Sequence, residues 1–303
     1  MPTTVEHGFM ELHKQIASIF IEPTNDCNLN CKYCCNSAGF IKKRSPIYLD
    51  YNLFKNISVQ LPGIGVKKVF LWGFGEPFLY NNYLDMCKVL KELNLEIHSN
   101  TNGHYMVNEE EIIKSGISRI IFSIDGASSS TYLQYRKGGD FNLVMANLIK
   151  LIEAKHRLNA STEIIWQFIV FPWNESEVEI VRAKAIELQI ECIIKTNLGI
   201  NDIPNNKKYI RAVDQNGNVQ ISEGQFVDIS KMCKQPIIYA DGRIGMCLYD
   251  SLGEIILGDL NKQSLVDAFY SERWQNYWAL QQSDSIQLCK MKCSYWYKVK
   301  NTD

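Results

Sequence analysis

The chain has 303 residues, enough for about two domains at roughly 150 residues each. Lys and Arg number 32 against 33 Asp and Glu, and the net charge of −1 gives no global field to draw in nucleic acid or an anionic membrane. With 46% hydrophobic and 21% charged residues, 18 Gly and 8 Pro, disorder, collagen-like and low-complexity classes are excluded, and no apolar run approaches the roughly 20 residues that span a bilayer.

The opening MPTTVEHGFMELHKQ lacks a basic start followed by an apolar core, so no signal peptide is read and a cytoplasmic setting is expected. Six β-prone runs follow: IASIFIE (16–22), KKVFLW (67–72), LEIHSNT (95–101), RIIFSI (119–124), EIIWQFIVF (163–171) and CIIKTN (192–197). Helical stripes separate them. Leu53, Phe54, Ile57 and Leu61 share one face behind Asp50 as N-cap, and Asn108 with Glu111 opens another helix. Val144, Leu148, Leu151 and Ile152 form a third stripe, and Val178, Val181, Ala185 and Leu188 a fourth. This βα series predicts an α/β fold with a parallel sheet, open or curled toward a partial barrel, whose chemistry gathers at the carboxyl ends of the strands. After Gly199 the pattern changes. Asn216-Gly217 and Asp241-Gly242 read as hairpin turns, a helix is predicted over about 264–280, and a Cys-rich tail follows. The expected boundaries are a barrel over 15–200, a connector over 201–224 and a smaller α+β domain over 225–303.

Ten cysteines without export signals, in a chain long enough for a large core, point to thiolate ligands rather than a disulfide framework. Cys27, Cys31 and Cys34 follow the first strand in Cys-x3-Cys-x2-Cys spacing. Zinc would need a fourth ligand nearby. A three-thiolate site with one open position suits an iron–sulfur cluster with one iron left for an outside ligand.

That spacing, with Tyr33 before the third cysteine, resembles the radical S-adenosylmethionine enzymes. Gly73-Phe74-Gly75-Glu76-Pro77 after the second strand is similar to that family's GGEP segment, with Phe74 displacing the first glycine. Thr101-Asn102-Gly103, Ser123-Ile124-Asp125-Gly126 and Tyr135-Arg136 follow in the same order as in the family. The resemblance implies a partial (β/α)6 TIM-like barrel in which Cys27, Cys31 and Cys34 hold a [4Fe–4S] cluster. It implies that S-adenosyl-L-methionine chelates the open iron and is cleaved to methionine and a 5′-deoxyadenosyl radical, which takes a hydrogen atom from substrate. It also implies cofactor contacts from Tyr33, Gly73, Gly75, Glu76, Pro77, Asn102, Ser123 and Arg136, the last matched to a carboxylate by its planar fork. A flavodoxin- or ferredoxin-type reductant is implied as partner.

Cys233, Cys247, Cys289 and Cys293 form a second set, which by spacing alone suits structural zinc or a fully ligated cluster. This stretch is similar to the SPASM and Twitch extensions of radical enzymes. A full SPASM domain carries seven cysteines, and four here imply one auxiliary [4Fe–4S] cluster.

Cys87 shares a helical stripe with Leu84 and Leu90 and is expected in the core, and Cys35 is expected to pack beside the cluster loop. Cys192 shares a strand face with Ile194 and is expected outward against helices. Facing inward, it could return a hydrogen atom to a substrate radical, as an epimerase requires. Glu22, His98, Gln167, Lys195 and Asn197 are polar residues in apolar strands, each a substrate contact or an internally bonded group. Asp125 and Lys195 are the catalytic candidates at the active end of the barrel. The expected activity is hydrogen abstraction from a natural product, ending in oxidation or epimerisation, with a sugar- or aminocyclitol-like small molecule favoured. The short stretch before the first strand leaves little room for a leader-peptide domain. The alternatives are a maturase acting on a ribosomally made peptide and, in another class, a non-catalytic iron–sulfur or zinc protein.

Overall fold

The computed structural model describes residues 16–34, 36, 44–106, 108–195, 219–222, 225–227, 235–248, 250 and 252–282. In chain order the first part runs β1 (Ser18–Ile21), α1 (Tyr51–Ser58), β2 (Lys68–Phe70), α2 (Tyr83–Glu92), β3 (Glu96–Thr101), α3 (Glu109–Lys114), β4 (Ile117–Ser123), α4 (Ser129–Tyr135), α5 (Phe141–Arg157), β5 (Glu163–Ile169), α6 (Val178–Glu187) and β6 (Glu191–Lys195). Strands β1 to β6 lie side by side in sequence order, each parallel to the next. This is the α/β, partial-barrel arrangement expected from the alternating pattern. The caps read from the sequence form as well: the side chains of Asp50 and Asn108 accept the backbone N–H of Leu53 and Glu111.

Two additions extend the sheet. β7 (Val219–Ser222) and β8 (Gln225–Val227) make an antiparallel hairpin on the β6 edge. On the other edge β9 (Ile237–Ile238) pairs parallel with β1, and β10 (Arg243–Gly245) and β11 (Ile256–Asp259) follow antiparallel. The C-terminal strands therefore continue the barrel's own sheet. The Asp241-Gly242 turn forms as predicted, with Gly242 at φ +83°, where a side chain would be strained. The Asn216-Gly217 turn lies outside the described residues. The single predicted helix is two, α7 (Leu265–Tyr270) and α8 (Glu272–Gln282), because Ser271 is extended between them.

The strands carry two different faces. Ile19, Ile21, Val69, Leu71, Ile97, Ile120, Phe122, Trp166, Phe168 and Ile194 join the helix stripes in the main apolar core. The opposite face lines the barrel interior. There Phe20 stacks on Phe70 with centroids 4.5 Å apart, and Trp72 meets Phe20 edge-on at 5.3 Å. Further round, the Ser123 hydroxyl donates to Asn100 Oδ1 at 2.8 Å and the Gln167 amide donates to Ser123 at 3.3 Å. One wall of the interior is aromatic and the other is a bonded polar row. His98, also on this face, bonds Glu96 at 2.6 Å and meets the Phe70 ring edge-on.

Glu22, just past β1, is fully buried and ties the sheet's two parts together. Its carboxylate accepts Arg44 Nη2 at 2.7 Å, the Phe74 N–H at 3.1 Å and the Ala240 N–H at 3.0 Å. It thus joins the loop after β2 to the turn between β9 and β10. Replacing Glu22 with Ala strands a buried guanidinium and two N–H groups, so a loss of about 3–5 kcal/mol is expected. Urea unfolding measures it, and a loss below about 1 kcal/mol would contradict this role.

Candidate active site

The loop after β1 carries Cys27, Cys31 and Cys34 to the carboxyl ends of the parallel strands. There they join one apolar cluster with Leu29, Tyr33, Tyr135, Phe171 and Trp173. Tyr33 lies about midway among Tyr135, Phe171 and Trp173, with ring centroids 6.4, 6.1 and 6.3 Å away. The loop is stitched to α4 and its exit by Lys32 N–H to Tyr135 O and Asn30 N–H to Lys137 O, both at 2.9 Å. Each sulfur meets at least one N–H donor: Asn102 Nδ2 to Cys27 at 3.8 Å, with the Leu29 N–H also on Cys27, Arg136 Nη1 to Cys31 at 3.9 Å and the Asn36 N–H to Cys34 at 3.4 Å.

Burial pushes the Cys27 thiol up to about 12 and the Cys31 thiol up to about 11, and charge on the neighbouring cysteines adds to both. Such thiols ionise only against a compensating cation, which a metal centre supplies. Among the described residues no three His, Cys, Asp or Glu side chains are gathered for a single ion. Three thiolates without a fourth protein ligand suit a cluster that keeps one iron for an outside ligand. The donor set fits an iron–sulfur cluster.

The other motif residues gather here. A Cβ at Gly75 would run into the carbonyl oxygens of Thr24 and Asp26, so this glycine lets the loop after β2 lie against the cysteine loop. Gly73 packs in the same way on the Glu22 side chain. The Glu76 carboxylate is buried. It accepts the Thr101 hydroxyl and the Asn102 N–H, both at 2.7 Å, and the Phe78 N–H at 3.3 Å, while its own N–H donates to Asp26 O at 2.7 Å. Pro77 begins the turn behind it. Asp125 is likewise engaged: Arg136 Nε donates to it at 2.6 Å and the Ile169 N–H at 2.6 Å. Burial raises its pKa, and Arg136 opposes the rise. Asp125, the catalytic candidate at the end of β4, therefore holds Arg136 and β5 in place.

Lys195, at the end of β6, faces Asp125, and burial lowers its pKa against that attraction. Cys192 is not brought to the site. It packs on the helix side with the core that holds Trp166 and Ile194, near Arg182 of α6. That removes it from the catalytic candidates. Cys87 is fully buried in the core, as its stripe predicted. Cys247, half-buried, follows β10, whereas Cys35, Asn197, Cys233, Cys289 and Cys293 lie outside the described residues. Sequence reasoning missed Asn28, His104 and Asn174. Asn174 joins Asp125 O, Ile169 O and the Phe171 N–H. Loop residues of this kind carry no periodic signal; only their polar type beside a glycine or proline hints at them.

Two outcomes follow. Gly75→Ala is expected to force the two loops apart and to lower bound iron well below the wild-type content in an anaerobic iron assay, and full iron content would contradict the contact. Burial raises Glu76 from the ordinary 4.5 to about 7. Between those values the folded chain keeps a proton that the unfolded chain releases, so stability falls as pH rises from about 4.5 to about 7. Glu76→Gln is expected to flatten that slope in urea unfolding at a series of pH values, and an unchanged slope would contradict it.

The family model described as the radical SAM superfamily matches residues 21–183, and that of an iron–sulfur cluster-binding domain, SPASM, matches residues 230–294. Curated relatives include the GTP 3′,8-cyclase of Alkaliphilus oremlandii, 27% identical over 169 residues, 55% of this chain and 51% of that protein. The GTP 3′,8-cyclase of Clostridium perfringens is 27% identical over 160 residues, 51% of this chain and 49% of that protein. The chain spans about half the length of the curated relatives it matches. Among solved structures, Streptococcus suis SuiB bound to S-adenosylmethionine superposes with a TM-score of 0.69 at 14% identity, over 96% of this chain and 74% of that one. Native anSMEcpe with bound AdoMet gives 0.64 at 17%, over 94% and 91%. BtrN in complex with AdoMet and 2-DOIA gives 0.57 at 15%, over 90% and 89%. These three establish the fold. With the superfamily model covering just over half of its length, the chain belongs to the radical SAM superfamily, whose members take a [4Fe–4S] cluster and S-adenosylmethionine.

Proposed function

We propose that this chain uses a radical derived from S-adenosylmethionine to remove a hydrogen atom from a small organic substrate, with Cys27, Cys31 and Cys34 holding the [4Fe–4S] cluster. The observation that carries the reading is the trio of thiols in an apolar cluster at the carboxyl ends of parallel strands, each sulfur met by at least one N–H donor. When bound, the cluster supplies the electron that splits the sulfonium and leaves one iron open to the cofactor's amino and carboxylate groups.

The chain's residues bind, orient and exclude water. Tyr33 backs the adenine, and with Tyr135, Phe171 and Trp173 it keeps water from the thiolates. Gly73, Gly75 and Pro77 shape the backbone that meets the cofactor's ammonium. Arg136, held by Asp125, presents its guanidinium to the carboxylate end, and Ser123 meets the ribose. Glu76 and Asn102 position the loops that carry these contacts. Cys233, Cys247, Cys289 and Cys293 hold one auxiliary [4Fe–4S] cluster.

The interior supports a carbohydrate- or aminocyclitol-like substrate. The Phe20, Phe70 and Trp72 rings suit the C–H face of such a ring, and the row of Asn100, Ser123 and Gln167, with Lys195 above it, suits hydroxyl and amino edges. Oxidation is favoured over epimerisation, because the Cys192 thiol faces the helices and is not positioned to return a hydrogen atom. In anaerobic protein with dithionite and S-adenosylmethionine, slow release of 5′-deoxyadenosine is expected even without substrate. Cys27→Ala, Cys31→Ala and Cys34→Ala are each expected to reduce it to background. No release from iron-loaded wild type, or release unaffected by these substitutions, would refute the reading.

A further inference from the structure

The side-chain donor to Cys27, the Asn102 amide, has its orientation fixed by a second residue outside the cysteine loop, His104. Asn102 Oδ1 accepts the His104 N–H at 3.1 Å and lies 2.9 Å from His104 Nδ1. His104 Nε2 accepts the Asp140 N–H at 2.8 Å, so it carries no proton and the ring hydrogen sits on Nδ1, directed at Asn102 Oδ1. With its oxygen held by two donors, the Asn102 amide has one orientation. Its nitrogen donates to Asn28 Oδ1 at 2.8 Å and faces the Cys27 sulfur at 3.8 Å. Asp140 is also the N-cap of α5, which anchors the far end of this chain of bonds in a 17-residue helix.

We propose that Asn102, oriented by His104, is a positioning residue that sets the reduction potential of the cluster through a hydrogen bond to the Cys27 thiolate. The inference rests on the reading of Cys27 as a cluster ligand. Reduction adds negative charge that the thiolates share, and a donor at sulfur stabilises that charge and raises the potential. The effect needs no change in ligation, so it separates from cluster assembly.

The test is a redox titration of the full chain followed by EPR, reading the signal that changes when S-adenosylmethionine is added, since that signal belongs to the cluster with an open iron. Asn102→Asp keeps the oxygen for His104 and sets a second oxygen against sulfur. Asn102→Leu removes both groups. Both are expected to move the midpoint to more negative potential at unchanged iron content, Asn102→Asp further. His104→Phe touches no thiol and is expected to shift it the same way by less. Asn147→Leu removes the amide's bonds to two backbone carbonyls, Gly103 O and His104 O, and leaves the Asn102 and His104 side chains in place, so it is expected to keep the wild-type midpoint. An unchanged midpoint in His104→Phe and in every Asn102 variant that loads iron overturns the proposal, as does an equal shift in Asn147→Leu. A wild-type chain lacking any cofactor-responsive signal overturns the cluster reading instead.

Discussion

Gathering one buried and two half-buried thiols into one apolar cluster is unfavourable in either protonation state: as thiols they leave weak donors there, and as thiolates they repel one another with little water to screen them. A cation among them removes both costs. Much of the local structure serves that juxtaposition. The apolar rings of Tyr33, Tyr135, Phe171 and Trp173 keep the dielectric low, and N–H donors at each sulfur moderate the charge. The parallel strands supply the platform, because their carboxyl ends face one side and bring loops distant in sequence to one place.

The acidic residues of the site act as struts. Glu22 joins β1 to the loop after β2 and to the turn before β10, Glu76 joins that loop to the end of β3, and Asp125 joins β4 to α4 and β5. Each is buried and accepts two or more donors, which is how a buried carboxylate is tolerated. Their shared effect is to fix the spacing of four loops whose own sequences are irregular. Precision at the thiol cluster thus comes from side chains that do not belong to it.

Much of this was legible in the sequence. Alternating apolar runs and helix stripes marked the strands of a parallel sheet and the helices between them, because period 2 and period 3.6 are set by backbone geometry. The cysteine spacing marked the site, and strand alternation turned Cys192 away from it correctly. The roles of Glu76 and Asp125 were not legible. A motif records that a carboxylate is required at a position, and whether it faces a ligand or a neighbouring loop depends on the fold around it. His104 was invisible for a similar reason, since its ring joins Asn102, two residues away, to Asp140, which only the fold brings beside it. The junction of β9 with β1 was also hidden, because parallel pairing at such distance leaves no local trace.

The central claim is that the three thiolates leave one iron without a protein ligand and that S-adenosylmethionine occupies it. ENDOR spectroscopy of the reduced chain, with cofactor labelled by 15N at the methionyl amino group and 17O at the carboxylate, examines that bond directly. Hyperfine coupling of both labels to the cluster is the expected result. An iron-loaded, reduced chain that binds the labelled cofactor with no coupling from either nucleus would contradict the account.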